Sequence, residues 1–335
     1  IKYQYIQFFE FIMVSLYETN VLNQLKEWKR ILHSNLPPSL YTINSDKRKV
    51  VFVGIGSSYW AARITEFLWR DHINPNCISL QSYDFVGSPH YLTANDIFVV
   101  FSHRGTKTFS IQALEVAKKS GALTILVTGF GSPNNSAADI RIETCPQENC
   151  GAFTISFTSA ITRIIQWIGL FDNEIIEKFR TTIDNIKLPI TVQRLPTSVT
   201  NFVIIGDLIR EAVAHEVALK ISETCYLPVR SFGLEQFLHG PKVTIDKQAS
   251  ILAFTSATQP RKGCLLDYAQ AIGTEVIEIN EYTLGFDIPR EFAWLAQLLY
   301  GQYLALELSR KLGTDPDTVR ADQSPYKEAR STVNL

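Results

Sequence analysis

The sequence holds no CxxC pair, one methionine and no surplus of either charge. Its five cysteines are Cys77, Cys145, Cys150, Cys225 and Cys264. The missing CxxC argues against a zinc site, and an odd count without a secretory signal is expected of reduced thiols in a cytoplasmic protein. Lys plus Arg number 32 against 33 Asp plus Glu, so nothing in the balance calls for a nucleic-acid or membrane partner. The first sixteen residues are apolar and aromatic, but Lys2, Gln4, Gln7 and Glu10 interrupt them well below the length of a membrane span. No G-x-G-x-x-G with an acidic residue about twenty positions on follows a strand, which excludes a dinucleotide-binding dehydrogenase. No helix-turn-helix precedes the α/β pattern, which argues against a transcription factor.

What is there is ordinary globular material. Hydrophobic residues make up 46% and charged residues 19% of 335, enough for about two domains. The single Met13 precedes an amphipathic helix, so residues 1 to 12 read either as an upstream extension or as part of the fold.

From Val50 the chain runs Val-Val-Phe-Val, a Gly/Ser turn and a helical pattern to Asp71. It then gives an apolar run at Ile97 to Phe101, another turn and a helix to Lys119. Leu123 to Thr128 reads as a third strand, and Ala152 to Gly169 as a long helix. Short apolar strands alternating with helices predict a parallel sheet covered on both faces. The pattern restarts with strands at Phe202 to Ile205, Ile251 to Phe254 and Glu275 to Ile279, and helices at Ile209 to Cys225, Leu265 to Ile272 and Ala293 to Leu312. Lys187 to Ser198, with Pro189 and Pro196, reads as the linker. The expected organisation is a helical segment over 1–44, a first α/β domain over 45–188 and a second over 197–335, each a three-layer flavodoxin-like unit. The polar tail after Leu312 is either disordered or laid across a site.

Three segments carry chemistry. Gly56, Ser57 and Ser58 sit between a strand and a helix, where N–H groups face an anion, although serines there also act as plain helix caps. Ser102, His103, Arg104, Gly105, Thr106 and Lys107 follow another strand and combine hydroxyls, a glycine and cations suited to a phosphate. Both turns lie at the carboxyl ends of strands, where open α/β sheets bind ligands. Glu216, Lys220 and Glu223 share one helix face, which by itself reads as a solvated ion-pair stripe. Sixteen residues after Glu223, His239 precedes a Gly-Pro turn, and a carboxylate with a histidine moves protons near neutral pH.

These motifs together resemble the double-SIS-domain sugar isomerases, the family of the isomerase half of glucosamine-6-phosphate synthase. The resemblance runs over about residues 45 to 335. It implies two tandem SIS (sugar isomerase) domains, with Gly56 to Ser58 and Ser102 to Lys107 holding a sugar phosphate and Gly151 and Phe153 near the sugar. Glu223 would move a proton between C1 and C2, Lys220 would stabilise the enediolate and His239, reaching in from a partner subunit of a homodimer, would open the ring. His103, Arg104 and Lys107 make the phosphate loop more basic than the family pattern, and Phe153 replaces a polar contact. The tail lysine that forms a Schiff base in the family falls on Arg330, which cannot become an amine nucleophile. Lys327, one turn away, is the remaining candidate for that role.

The resemblance implies no metal and no cofactor. Scarcely fifty residues precede the first strand, so a glutaminase domain is not expected in this sequence. The expected activity is aldose–ketose isomerisation of a hexose or amino-hexose 6-phosphate, of the fructose 6-phosphate or glucosamine 6-phosphate type. Ammonia would be released, added, or taken from a separate glutaminase subunit. The alternative is a regulatory protein that binds a sugar phosphate without turning it over.

Overall fold

The structure, a computed structural model, describes residues 14–88, 92–170, 173–185, 192–193, 195, 201–283 and 288–333. Residues 1 to 12 and most of the expected linker lie outside the described residues.

Helix α1 (Leu16–Leu32) starts at Ser15, whose hydroxyl accepts from the Glu18 N–H at 3.1 Å. The first parallel unit follows as β1 (Val50–Gly54), α2 (Ser57–His72), β2 (Cys77–Gln81), α3 (Ser82–Gly87), β3 (Ile97–Phe101) and α4 (Thr108–Lys119). It is completed by β4 (Leu123–Phe130), β5 (Ile140–Pro146), α5 (Ile155–Ile168) and α6 (Asn173–Asn185). Strand order is β2-β1-β3-β4-β5, all parallel. β1 and β3 are buried throughout, because helices cover both faces of the sheet.

The second unit runs β6 (Phe202–Gly206), α7 (Ile209–Cys225), β7 (Val229–Gly233), α8 (Leu234–His239), β8 (Ser250–Phe254), α9 (Lys262–Ile272) and β9 (Glu275–Ile279). It closes with α10 (Ala293–Leu312) and the short α11 (Tyr326–Arg330). Its parallel order is β7-β6-β8-β9. The expected α/β architecture of parallel sheets flanked by helices is therefore what the chain adopts.

Both units make the same turn after their first strand. A Cβ on Gly54 would lie 2.2 Å from the Ser58 carbonyl oxygen, and one on Gly206 would lie 1.9 Å from that of Arg210. Two residues on, Gly56 has φ +59°, but its counterpart Leu208 holds φ +49° with a side chain attached.

Strands β2, β5 and β7 were not legible as apolar runs. All three are sheet edges, where one side is open to polar residues such as Arg141, Glu143 and Arg230. Helix α1 is not peripheral. Its Tyr17 hydroxyl donates to the Gln302 carbonyl at 3.1 Å, and its Gln24 bonds the Gln302 and Thr158 side chains at 2.8 and 2.7 Å. It thus joins the first unit to α10 of the second.

Candidate functional site

The turns after β1 and β3 open onto a cleft lined by Ser57, Ser58, Ser102, His103, Thr128 and Phe153, with Phe157 beneath. The strand order reverses between β1 and β3, the place where such sheets take ligands. Ser102 is 3% exposed, and its hydroxyl has no hydrogen-bond partner among the described residues. A buried hydroxyl in a cleft wall, left unpaired by the protein, is suited to a ligand oxygen. Gly56 and Thr106 are exposed and do not line the cleft, and Ser57 and Ser58 are half-buried in its wall. Gly105, at φ +65°, lets the loop fold against Thr128 and Ser132.

His103 departs from the expectation of a more basic loop. Its Nε2 accepts from the Glu148 N–H at 3.0 Å, and burial first, then Arg104, pushes its pKa down to about 4. The imidazole is therefore neutral near pH 7, with Nδ1 carrying the proton. It packs edge-on against Phe153, with ring centroids 5.5 Å apart. The Arg104 guanidinium lies 5.4 Å from the centre of the same Phe153 ring. Lys107 is half-buried, and its pKa is lowered by burial and by the charges of Arg104 and Arg330. The cationic contribution at this turn comes from Arg104, Lys107 and the tail.

The α7 face is not a solvated stripe. Glu216 is 0% and Lys220 1% exposed, which overturns the ion-pair-stripe reading. Helix α7 is enclosed by α2 and α10, so the face looks inward. The Lys220 ammonium donates to Glu223 Oε2 at 2.5 Å and lies 3.6 Å from Glu216 Oε1. Burial works against its charge, but Glu223 and Glu216 outweigh this and raise its pKa. Glu216 is pushed up to about 8, by burial first, with Lys220 opposing and Glu223 adding to the rise. Ser57 Oγ donates to Glu216 Oε1 at 3.1 Å, which ties the α7 charges to the cleft.

Glu148 is a residue the motifs did not single out. Its buried carboxylate accepts from the Thr154 and Ser156 N–H groups at 2.9 and 3.1 Å, capping α5 beside Phe153. Its backbone N–H also holds His103. A lone glutamate outside any helical or strand pattern gave no signal in the sequence.

The tail is ordered across the chain. The Gly151 N–H donates to the Asp317 carbonyl at 2.7 Å, and a Cβ at Gly151 would lie 2.8 Å from that oxygen and from Val319 Cγ2. The Asp317 carboxylate accepts from the Leu16 and Tyr17 N–H groups at 2.8 Å each. Arg320 lies over the rings of Tyr226 and Tyr326. Lys327 and Arg330 are both exposed on α11. His239 is exposed at the end of α8 and lines no part of the cleft of its own chain.

At the corresponding strand ends of the second unit, side chains bond one another. Asp207 accepts from Gln259 Nε2 at 2.8 Å, while Arg210 donates to Gln297 Oε1 at 2.8 Å and pairs with Glu281 at 3.2 Å. Among the described residues no helix is long and apolar enough to cross a membrane.

Residues 43–167 match the SIS domain family. The chain is 23% identical over 278 residues to glutamine–fructose-6-phosphate aminotransferase (isomerizing) of Idiomarina loihiensis, covering 73% of this chain and 44% of that protein. It is 23% identical over 326 residues to the enzyme of the same name from Methanothermobacter thermautotrophicus, covering 89% and 53%. The chain thus spans about half the length of the curated relatives it matches. Among solved structures, the C-terminal domain of glucosamine-fructose-6-phosphate aminotransferase from Francisella tularensis superimposes with a TM-score of 0.75 at 17% identity, over 90% of this chain and 97% of that one. Glucosamine-6-phosphate deaminase from Thermotoga maritima gives 0.73 at 21%, over 91% and 97%. Tagatose-6-phosphate ketose/aldose isomerase from Escherichia coli gives 0.73 at 20%, over 91% and 95%. These likenesses show a shared fold. The first sheet unit matches the SIS domain family, in a chain similar in sequence to these aminotransferases and similar in fold to phosphosugar isomerases.

Proposed function

We propose that this chain is an aldose–ketose isomerase for a hexose or amino-hexose 6-phosphate, with its second unit a further SIS-type domain. The observation that carries the reading is the pairing of buried Lys220 with half-buried Glu223, linked through Glu216 to Ser57 in the cleft wall. In this reading Ser57, Ser58, Ser102 and the cations of the β3 turn hold the phosphate. Glu223 removes a proton from one sugar carbon and returns it to the neighbour, and Lys220 stabilises the enediolate oxygen that forms between. His239 of a second copy opens the ring, which makes the active form a homodimer. Ammonia is released or added at C2, or comes from a separate glutaminase subunit.

Phe153 and Arg330 favour a second reading, a sugar-phosphate-binding regulatory protein, because one removes a polar contact and the other replaces the amine nucleophile. The test is product formation from glucosamine 6-phosphate, and from fructose 6-phosphate with ammonium, by the wild type and Glu223→Gln. Turnover abolished by Glu223→Gln supports the isomerase, and ammonia release identifies a deaminase. A rise in melting temperature without turnover supports the regulatory reading.

A further inference from the structure

Helices α2 and α7 meet at two adjacent points. Ser57 bonds Glu216, and one turn along α2 Trp60 stacks on His215, the residue before Glu216. The ring centroids are 4.2 Å apart and the planes differ by 4°. His215 Nδ1 lies 2.6 Å from Ser231 Oγ on β7, and Nε2 lies 3.9 Å from Glu211 Oε1 one turn back on α7. The imidazole is held on one face and approached at both nitrogens, yet neither it nor Trp60 lines the cleft.

We propose that Trp60, His215 and Ser231 are positioning residues that fix the register of α7 against α2, and so place Lys220 and Glu223 relative to the cleft serines. Glu223 is eight positions after His215, so the stack lies roughly 12 Å along the same helix from the proposed base. Ser57 and Ser58 belong to α2, so a slip of α7 changes the distance from phosphate anchor to base without removing either. A misplacement of about 1 Å costs up to ~100-fold in rate. The loss falls on kcat, because the phosphate contacts remain.

This inference rests on the isomerase reading. The test measures kcat, KM and urea stability for Trp60→Leu, His215→Ala, the double variant and His215→Phe, on a sugar phosphate that the wild type turns over. Each single variant is expected to lower kcat by about 10- to 100-fold with KM within about twofold. The double variant should be no worse than the poorer single, and His215→Phe, which keeps the stack but not the Ser231 bond, should recover part of the rate. Lost stability with kcat intact, or losses that multiply, would overturn the positioning role alone. If His215→Ala does not fold, Ser231→Ala carries the same comparison. A wild type without turnover overturns the isomerase reading and this inference with it.

Discussion

The buried carboxyl of Glu216 makes the stability of this protein depend on pH in a direction that can be worked out. Its pKa in the folded chain is about 8, against 4.5 for the ordinary group. Between those values the folded chain keeps a proton that the unfolded chain has released. The stabilisation is therefore complete below the unfolded pKa and is lost as pH rises through the folded one. The slope is about 1.4 kcal/mol per pH unit, so moving from about pH 6 to about pH 8 removes roughly 2 kcal/mol through this group. Lys220 stays charged over that range, because Glu223 holds its pKa up against burial. Glu216→Gln keeps the shape and an acceptor for Ser57 but cannot titrate. Urea unfolding of both proteins at the two pH values should show the variant gaining about 2 kcal/mol on the wild type at the higher pH. A difference independent of pH would refute the reasoning, since Glu216 would then be ionised throughout.

Lys220→Met removes the cation proposed to stabilise the enediolate oxygen and should abolish turnover, read as loss of product from a sugar phosphate that the wild type converts. His103 has a folded pKa of about 4 against 6.5 for the ordinary group, so its contribution is lost as pH falls between those values. His103→Gln should make thermal unfolding less acid-sensitive, by up to about 3 kcal/mol across that window. Leu208→Gly relieves a positive φ on an exposed side chain and should stabilise by about 1 kcal/mol, read as a higher urea midpoint. Gly151→Ala drives a Cβ into Asp317 and Val319, and should expose the tail to limited proteolysis.

The central strands were legible because helices bury them on both faces, which leaves continuous apolar runs such as Ile97 to Phe101. Strands β2, β5 and β7 were not, because polar residues such as Ser79, Gln81, Arg141, Glu143 and Arg230 break their apolar runs, whereas the edge strand β9 kept a readable alternation. At the site, local motifs marked the turns after β1 and β3, since glycine and serine there serve backbone geometry. Burial of Glu216 and Lys220 was hidden, because the same spacing suits a solvated helix. Only the packing of α7 between α2 and α10 decides it. Glu148 and the His215–Ser231 contact depend on residues far apart in the chain, and no local pattern marks them.

The most direct test of the central claim is proton exchange at the sugar itself. Fructose 6-phosphate and glucosamine 6-phosphate would each be incubated with the protein in deuterium oxide and followed by NMR at C1 and C2. The account predicts deuterium incorporation by the wild type that disappears in Glu223→Gln. Incorporation that persists in Glu223→Gln, or none with either sugar while the protein still binds it, would contradict the account.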